Sequence, residues 1–92
     1  MSLGAKGVVS VLSNLCPVEA QLMAQAALNG DFDTAAALQI KLLPLIDLLF
    51  CEVNPIPVKY VAAIKGLCAA EYRLPLCPPS PESAKLLQDL FY

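Results

Sequence analysis

The chain has 92 residues, 58% of them hydrophobic and only 15% charged, with a formal net charge of −2. That length allows one domain at most, and a domain so small has proportionally more surface, so it should be more polar than average rather than less. The composition points away from a free monomer and toward a surface covered by other protein. The six basic residues (Lys6, Lys41, Lys59, Lys65, Arg73, Lys85) form no stripe of the kind that neutralises nucleic-acid phosphates.

In chain order, Gly4-Ala5-Lys6-Gly7 is turn material, and Val8-Val9-Ser10-Val11-Leu12 is a short, nearly continuous apolar run. β-branched residues in such a run predict a buried parallel strand. A lone strand cannot satisfy its own backbone donors and acceptors, so Val8–Leu12 must be paired across a symmetric contact or the strand will be lost. Pro17 at the first helical position opens a helix that stops at Asn29-Gly30. Asp31 caps the next helix, which runs through Leu42, Leu43, Ile46 and Leu49 to Phe50. Pro44 should bend it rather than end it, because the apolar periodicity continues on both sides.

Cys51-Glu52-Val53-Asn54-Pro55-Ile56-Pro57-Val58-Lys59-Tyr60 then forms a rigid joint. Asn54 is the expected N-cap of a third helix reaching Leu67, with Pro55 at its first position. Arg73 to Pro79 reads as an extended, proline-dominated connector. Ser80-Pro81-Glu82 caps a last helix through Leu86, Leu87, Leu90 and Phe91.

The longest strongly apolar stretch, Leu42 to Phe50, is broken by Pro44 and Asp47 and falls short of the about 20 residues that span a bilayer. The start shows no signal-peptide pattern, so the expected location is cytoplasmic. Cys16, Cys51, Cys68 and Cys77 include no closely spaced pair, and there is no histidine, so no metal site is expected. The four thiols are expected to be free and buried as small hydrophobes. One strand followed by four helices fits the last unit of a (β/α)8 barrel with a helical extension, a mostly α segment with one short strand.

Several strings now bear on a family. Glu52-Val53-Asn54-Pro55-Ile56-Pro57-Val58-Lys59 resembles the Glu-x-Asn-Pro-Ile-Pro-Val-Lys segment of the dihydrodipicolinate synthases, which are aldolase-type lyases. Gly4-Ala5-Lys6-Gly7-Val8-Val9-Ser10-Val11 is similar to the family's eighth barrel strand. Gly30-Asp31-Phe32 resembles a helix junction, and Leu42-Leu43-Pro44-Leu45 resembles its leucine-proline helix. Arg73-Leu74-Pro75-Leu76-Cys77-Pro78 resembles a connector in which Thr is usual at the Cys77 position. The strings occur in order over nearly the whole chain.

The resemblance implies residues 1–30 as the last βα unit of a TIM barrel and residues 31–92 as the C-terminal helical extension. It implies condensation of pyruvate with aspartate semialdehyde on the way to diaminopimelate and lysine, with no cofactor. A lysine amine forms the Schiff base, assisted by a tyrosine, a hydroxyl and an arginine, all on earlier parts of the barrel. No catalytic residue is therefore expected in this chain, which should be inactive alone. Lys6 and Lys59 do not align with the reactive lysine and read as surface side chains. Val9 alone aligns with a substrate-bordering residue, through its main chain, although it also fits plain barrel core. Glu52, Asn54, Pro55 and Pro57 read as a structural motif, with Glu52 holding the loop through backbone hydrogen bonds. The implied partners are the rest of the barrel or other copies of the chain, and pyruvate in the whole enzyme. Neither nucleic acid nor membrane is implied. A self-associating helical module, or the corresponding part of a sialic-acid lyase or a keto-deoxy sugar-acid aldolase, are the alternatives.

Overall fold

The computed structural model describes residues 1–91. They form a short 3-10 turn, Leu12–Asn14, and four α-helices: α1 (Pro17–Leu28), α2 (Phe32–Leu49), α3 (Ile56–Ile64) and α4 (Pro81–Phe91). The chain divides into two compact units, Met1–Pro44 and Leu45–Tyr92, with the division inside α2.

The expected strand is not formed among the described residues. Val8 and Val9 are exposed, and no other strand is present to pair with them. The end of the segment is helical rather than extended, since Val11 has φ −66° and ψ −41°. Local bonds consume the carbonyls a ladder would need. Ser13 Oγ donates to Ser10 O at 2.7 Å, and Asn14 donates to Val11 O from its backbone at 3.2 Å and its side chain at 3.1 Å. A strand without a neighbour loses to the turn that its own serines and asparagine can make.

The rest of the first unit follows helix chemistry. The 3-10 turn packs on α1, with Leu12 and Ala20 buried. Pro17 sits in the first turn of α1, where its missing N–H is no loss. At the other end Gly30 takes φ +80°, its N–H reaches Ala27 O and the Asp31 N–H reaches Ala26 O. These two bonds close a Schellman motif, which needs a residue comfortable at positive φ. Asp31 then caps α2 by accepting the Thr34 N–H at 3.1 Å. Pro44 lies inside α2 and does not end it.

The second unit holds the best-buried side chains. Leu49, Val61 and Leu87 are each 0% exposed, and α3 packs against α4. α3 begins one residue later than expected: Pro55, not Asn54, is its N-cap, without a side-chain cap bond. The reason lies in the backbone. Pro55 O accepts the Lys59 N–H at 3.0 Å, and the Ile56 N–H, which would otherwise be orphaned, is taken by Val53 O at 2.9 Å. Pro57 then falls in the first turn, where a proline is tolerated. α3 ends at Ile64 rather than Leu67 because Gly66 (φ +75°) closes a second Schellman motif, with Gly66 N–H to Ala63 O and Leu67 N–H to Ala62 O. The Arg73–Pro79 connector is not wholly extended: the Leu76 N–H donates to Arg73 O at 2.9 Å and closes a turn.

Candidate functional site

Val9, the residue set against substrate by resemblance, stands fully exposed in the stretch ahead of the 3-10 turn. Lys6 is likewise exposed, with no hydrogen bond or ion pair. The first unit, Met1–Pro44, contains no Tyr and no Arg. It thus lacks the tyrosine and the arginine that the resemblance sets beside a reactive amine.

The joint in the second unit is more elaborate. The Glu52 carboxylate accepts the Ser80 N–H at 3.0 Å and the Ser80 hydroxyl at 3.4 Å, both on Oε2. Asn54 and Pro55 are exposed, whereas Ile56, Pro57 and Val58 are buried. The apolar half of the motif therefore enters the core, and the carboxylate reaches the start of α4. Spacing along the sequence gives no sign of Ser80 as a partner, because 28 residues separate the two.

A second polar group lies on α3 and its neighbours. Gln88 Nε2 donates to Tyr60 Oη at 2.7 Å, joining α4 to α3. Lys59 Nζ lies over the Tyr72 ring, 5.7 Å from its centroid, a cation–π distance. The Tyr72 hydroxyl is buried and has no hydrogen-bond partner. Desolvation raises its pKa above the ordinary 10.0, with smaller contributions from Tyr60 and Cys68. A phenol that holds its proton more tightly than usual is a poor base at neutral pH. The Lys59 amine rests over the Tyr72 ring, and the neighbouring Tyr60 hydroxyl is engaged by Gln88.

Cys51, Cys68 and Cys77 are exposed, against the expectation of burial, and Cys16 is half-buried. Cys51 lies in the joint after α2, Cys68 just past α3 and Cys77 on the connector, where two packed helices supply too few layers to cover them. Among the described residues no cluster of three potential ligands could hold a metal ion. No helix among them is long and apolar enough to cross a membrane.

A sequence model of the dihydrodipicolinate synthetase family matches residues 1–91. The chain belongs to that family. It is 53% identical over 88 residues to a 4-hydroxy-tetrahydrodipicolinate synthase of Exiguobacterium, covering 95% of this chain and 30% of that protein. The crystal structure of dihydrodipicolinate synthase from Aquifex aeolicus superposes with a TM-score of 0.94 at 45% identity, over 97% of this chain and 30% of that one. A chloride-inhibited dihydrodipicolinate synthase from Acinetobacter baumannii, crystallised with pyruvate, gives 0.90 at 37% identity, over 95% and 30%. The chain thus spans about 30% of the length of these relatives.

Proposed function

We propose that this chain is the C-terminal part of a 4-hydroxy-tetrahydrodipicolinate synthase, the enzyme that condenses pyruvate with aspartate semialdehyde in lysine and diaminopimelate biosynthesis. Residues 1–30 would be the closing βα unit of the barrel and residues 31–92 its helical extension. The observation that carries this reading is the family match over residues 1–91 together with a span of only about 30% of the relatives. The pyruvate complex of the Acinetobacter relative supports pyruvate as the substrate of the whole enzyme.

In this reading the chain contributes shape and no chemistry. Catalytic groups of such barrels gather at the C-terminal ends of the strands, and Val8–Leu12 would supply the last of them once its neighbours are alongside. Val9 would border the pyruvate adduct with its main chain. The exposed Val8, Val9, Val18 and Leu22 would be covered by the preceding barrel units, and the exposed Ile40, Leu43, Leu86 and Leu90 are available for further contacts, including other copies in a homo-oligomer. Glu52, Asn54, Pro55 and Pro57 form a structural joint. The whole enzyme would work in the cytoplasm, without a metal or organic cofactor.

The test is complementation. A family synthase lacking the corresponding last third should recover condensation of pyruvate with the semialdehyde when this chain is supplied. Failure to co-purify and to restore turnover overturns the reading. A self-association module instead predicts a defined homo-oligomer that ignores the truncated synthase.

A further inference from the structure

The start of α4 is capped in an unusual way. In an ordinary capping box the N-cap hydroxyl takes the backbone N–H three residues on, and a Glu or Gln at that third position returns to the N-cap N–H. Here the first half is present: Ser80 Oγ accepts the Ser83 N–H at 3.2 Å, while Ser80 O accepts the Ala84 N–H at 2.8 Å. The second half cannot come from Ser83, whose side chain is too short to be the usual carboxylate or amide. The Ser80 N–H is taken instead by Glu52 Oε2 at 3.0 Å, which also faces the Ser80 hydroxyl at 3.4 Å. The carboxylate of the box is supplied from 28 residues upstream.

We infer that Glu52 is a latch that completes the α4 capping box from outside the helix and so fixes α4 to the joint between α2 and α3. The inference rests on the structural reading of Glu52 above and is independent of the activity proposed for the whole enzyme. Three physical points support it. The Ser80 hydroxyl donates toward the carboxylate while accepting from Ser83, so each bond polarises the other. The carboxylate sits at the positive end of the helix dipole. At 11 residues α4 is too short to be stable by propensity alone, so its helicity depends on its ends and on its packing.

The latch also has a counterpart. Eight residues beyond Ser80, about 12 Å along the helix, Gln88 donates to Tyr60 on α3. Between these two polar ties lies Leu87, fully buried. The first tie sets where α4 begins, and the second sets its rotation against α3. Glu52 thus connects the path of the Asn-Pro joint to the docking of the last helix.

The experiment is native-state hydrogen exchange on the 92-residue chain, comparing the wild type with Glu52→Ala, Glu52→Gln and Ser80→Ala. Losing a helix cap makes local opening easier by about 2- to 30-fold, and Glu52→Ala should speed exchange of the Ser80, Ser83 and Ala84 amides by about 5-fold. The α1 amides should be unchanged. Glu52→Gln keeps an acceptor and drops the charge, so its effect should be smaller than that of alanine. In Ser80→Ala the further effect of Glu52→Ala should shrink, because the two residues act on one cap. Unchanged α4 exchange in Glu52→Ala overturns the latch. So does equal acceleration in α1 and α4, which would mean general destabilisation, and Glu52→Gln separates these outcomes if the alanine variant does not fold.

Discussion

The two units of the chain differ in how far along the sequence their polar bonds reach. In Met1–Pro44 the side-chain hydrogen bonds of Ser13 to Ser10, Asn14 to Val11, Gln25 to Asn29 and Thr34 to Asp31 join residues three or four apart. In Leu45–Tyr92 the Glu52–Ser80 and Tyr60–Gln88 bonds each cross 28 residues. The three fully buried large aliphatics, Leu49, Val61 and Leu87, lie in the second unit as well. The second unit supplies its own long-range partners. The first holds local turns and caps together, and leaves an apolar run without the neighbours a strand requires.

The largest test of that contrast is a pair of truncations. Leu87→Ala should destabilise the second unit by about 2–5 kcal/mol, the usual cost of emptying a buried leucine site, read by urea unfolding. Val9→Ala, at an exposed position, should stay within about 0.5 kcal/mol in the same assay. Similar losses at both sites would erase the distinction. The Glu52 variants described above come next in size. Tyr60→Phe should then cost about 0.5–1 kcal/mol, near the lower end for a hydrogen bond because the pair is exposed, and double-mutant coupling with Gln88→Ala measures it.

Titration sharpens the comparison further. The Tyr72 pKa is raised by burial, so the folded chain binds that proton more tightly than the unfolded one. Its contribution to stability is therefore complete below pH 10.0 and is lost as pH rises through the folded value. Ultraviolet titration should show one tyrosine ionising above the ordinary range, and Tyr72→Phe should remove that phase. In the first unit the opposite sign applies. The Thr34 side chain and backbone hold the Asp31 pKa below 3.8, so the cap stabilises above that value and weakens as pH falls through the folded pKa. Asp31 is fully exposed, so this should be the smallest effect, visible as selective loss of α2 first-turn protection in acid and absent in Asp31→Asn.

The helix ends were legible because their chemistry is local. Pro17, Gly30, Asp31 and Pro81 mark boundaries through their own backbone or side-chain preferences, and the structure uses each where it was read. Gly66 carried the same signal, but the apolar run to Leu67 masked it, and α3 stops earlier for that reason. Val8–Leu12 misled because strand propensity describes a residue's fit to a sheet, and no sheet is available among the described residues. Ser80, Tyr72 and Gln88 went unnoticed as partners because nothing in their sequence neighbourhood specifies a contact 28 residues away or the burial of one hydroxyl. The family strings did point to the right family, since their order along the chain is specific even where the local structure they imply is not formed.

The proposed function holds that this chain would shape a pyruvate-condensing synthase without supplying its reactive amine. The direct test is borohydride trapping with pyruvate in a mixture of this chain and a family synthase lacking the corresponding part, followed by the intact mass of each chain. The account predicts a pyruvate-dependent adduct on the synthase portion and none on the 92-residue chain. An adduct on Lys6 or Lys59 would contradict it.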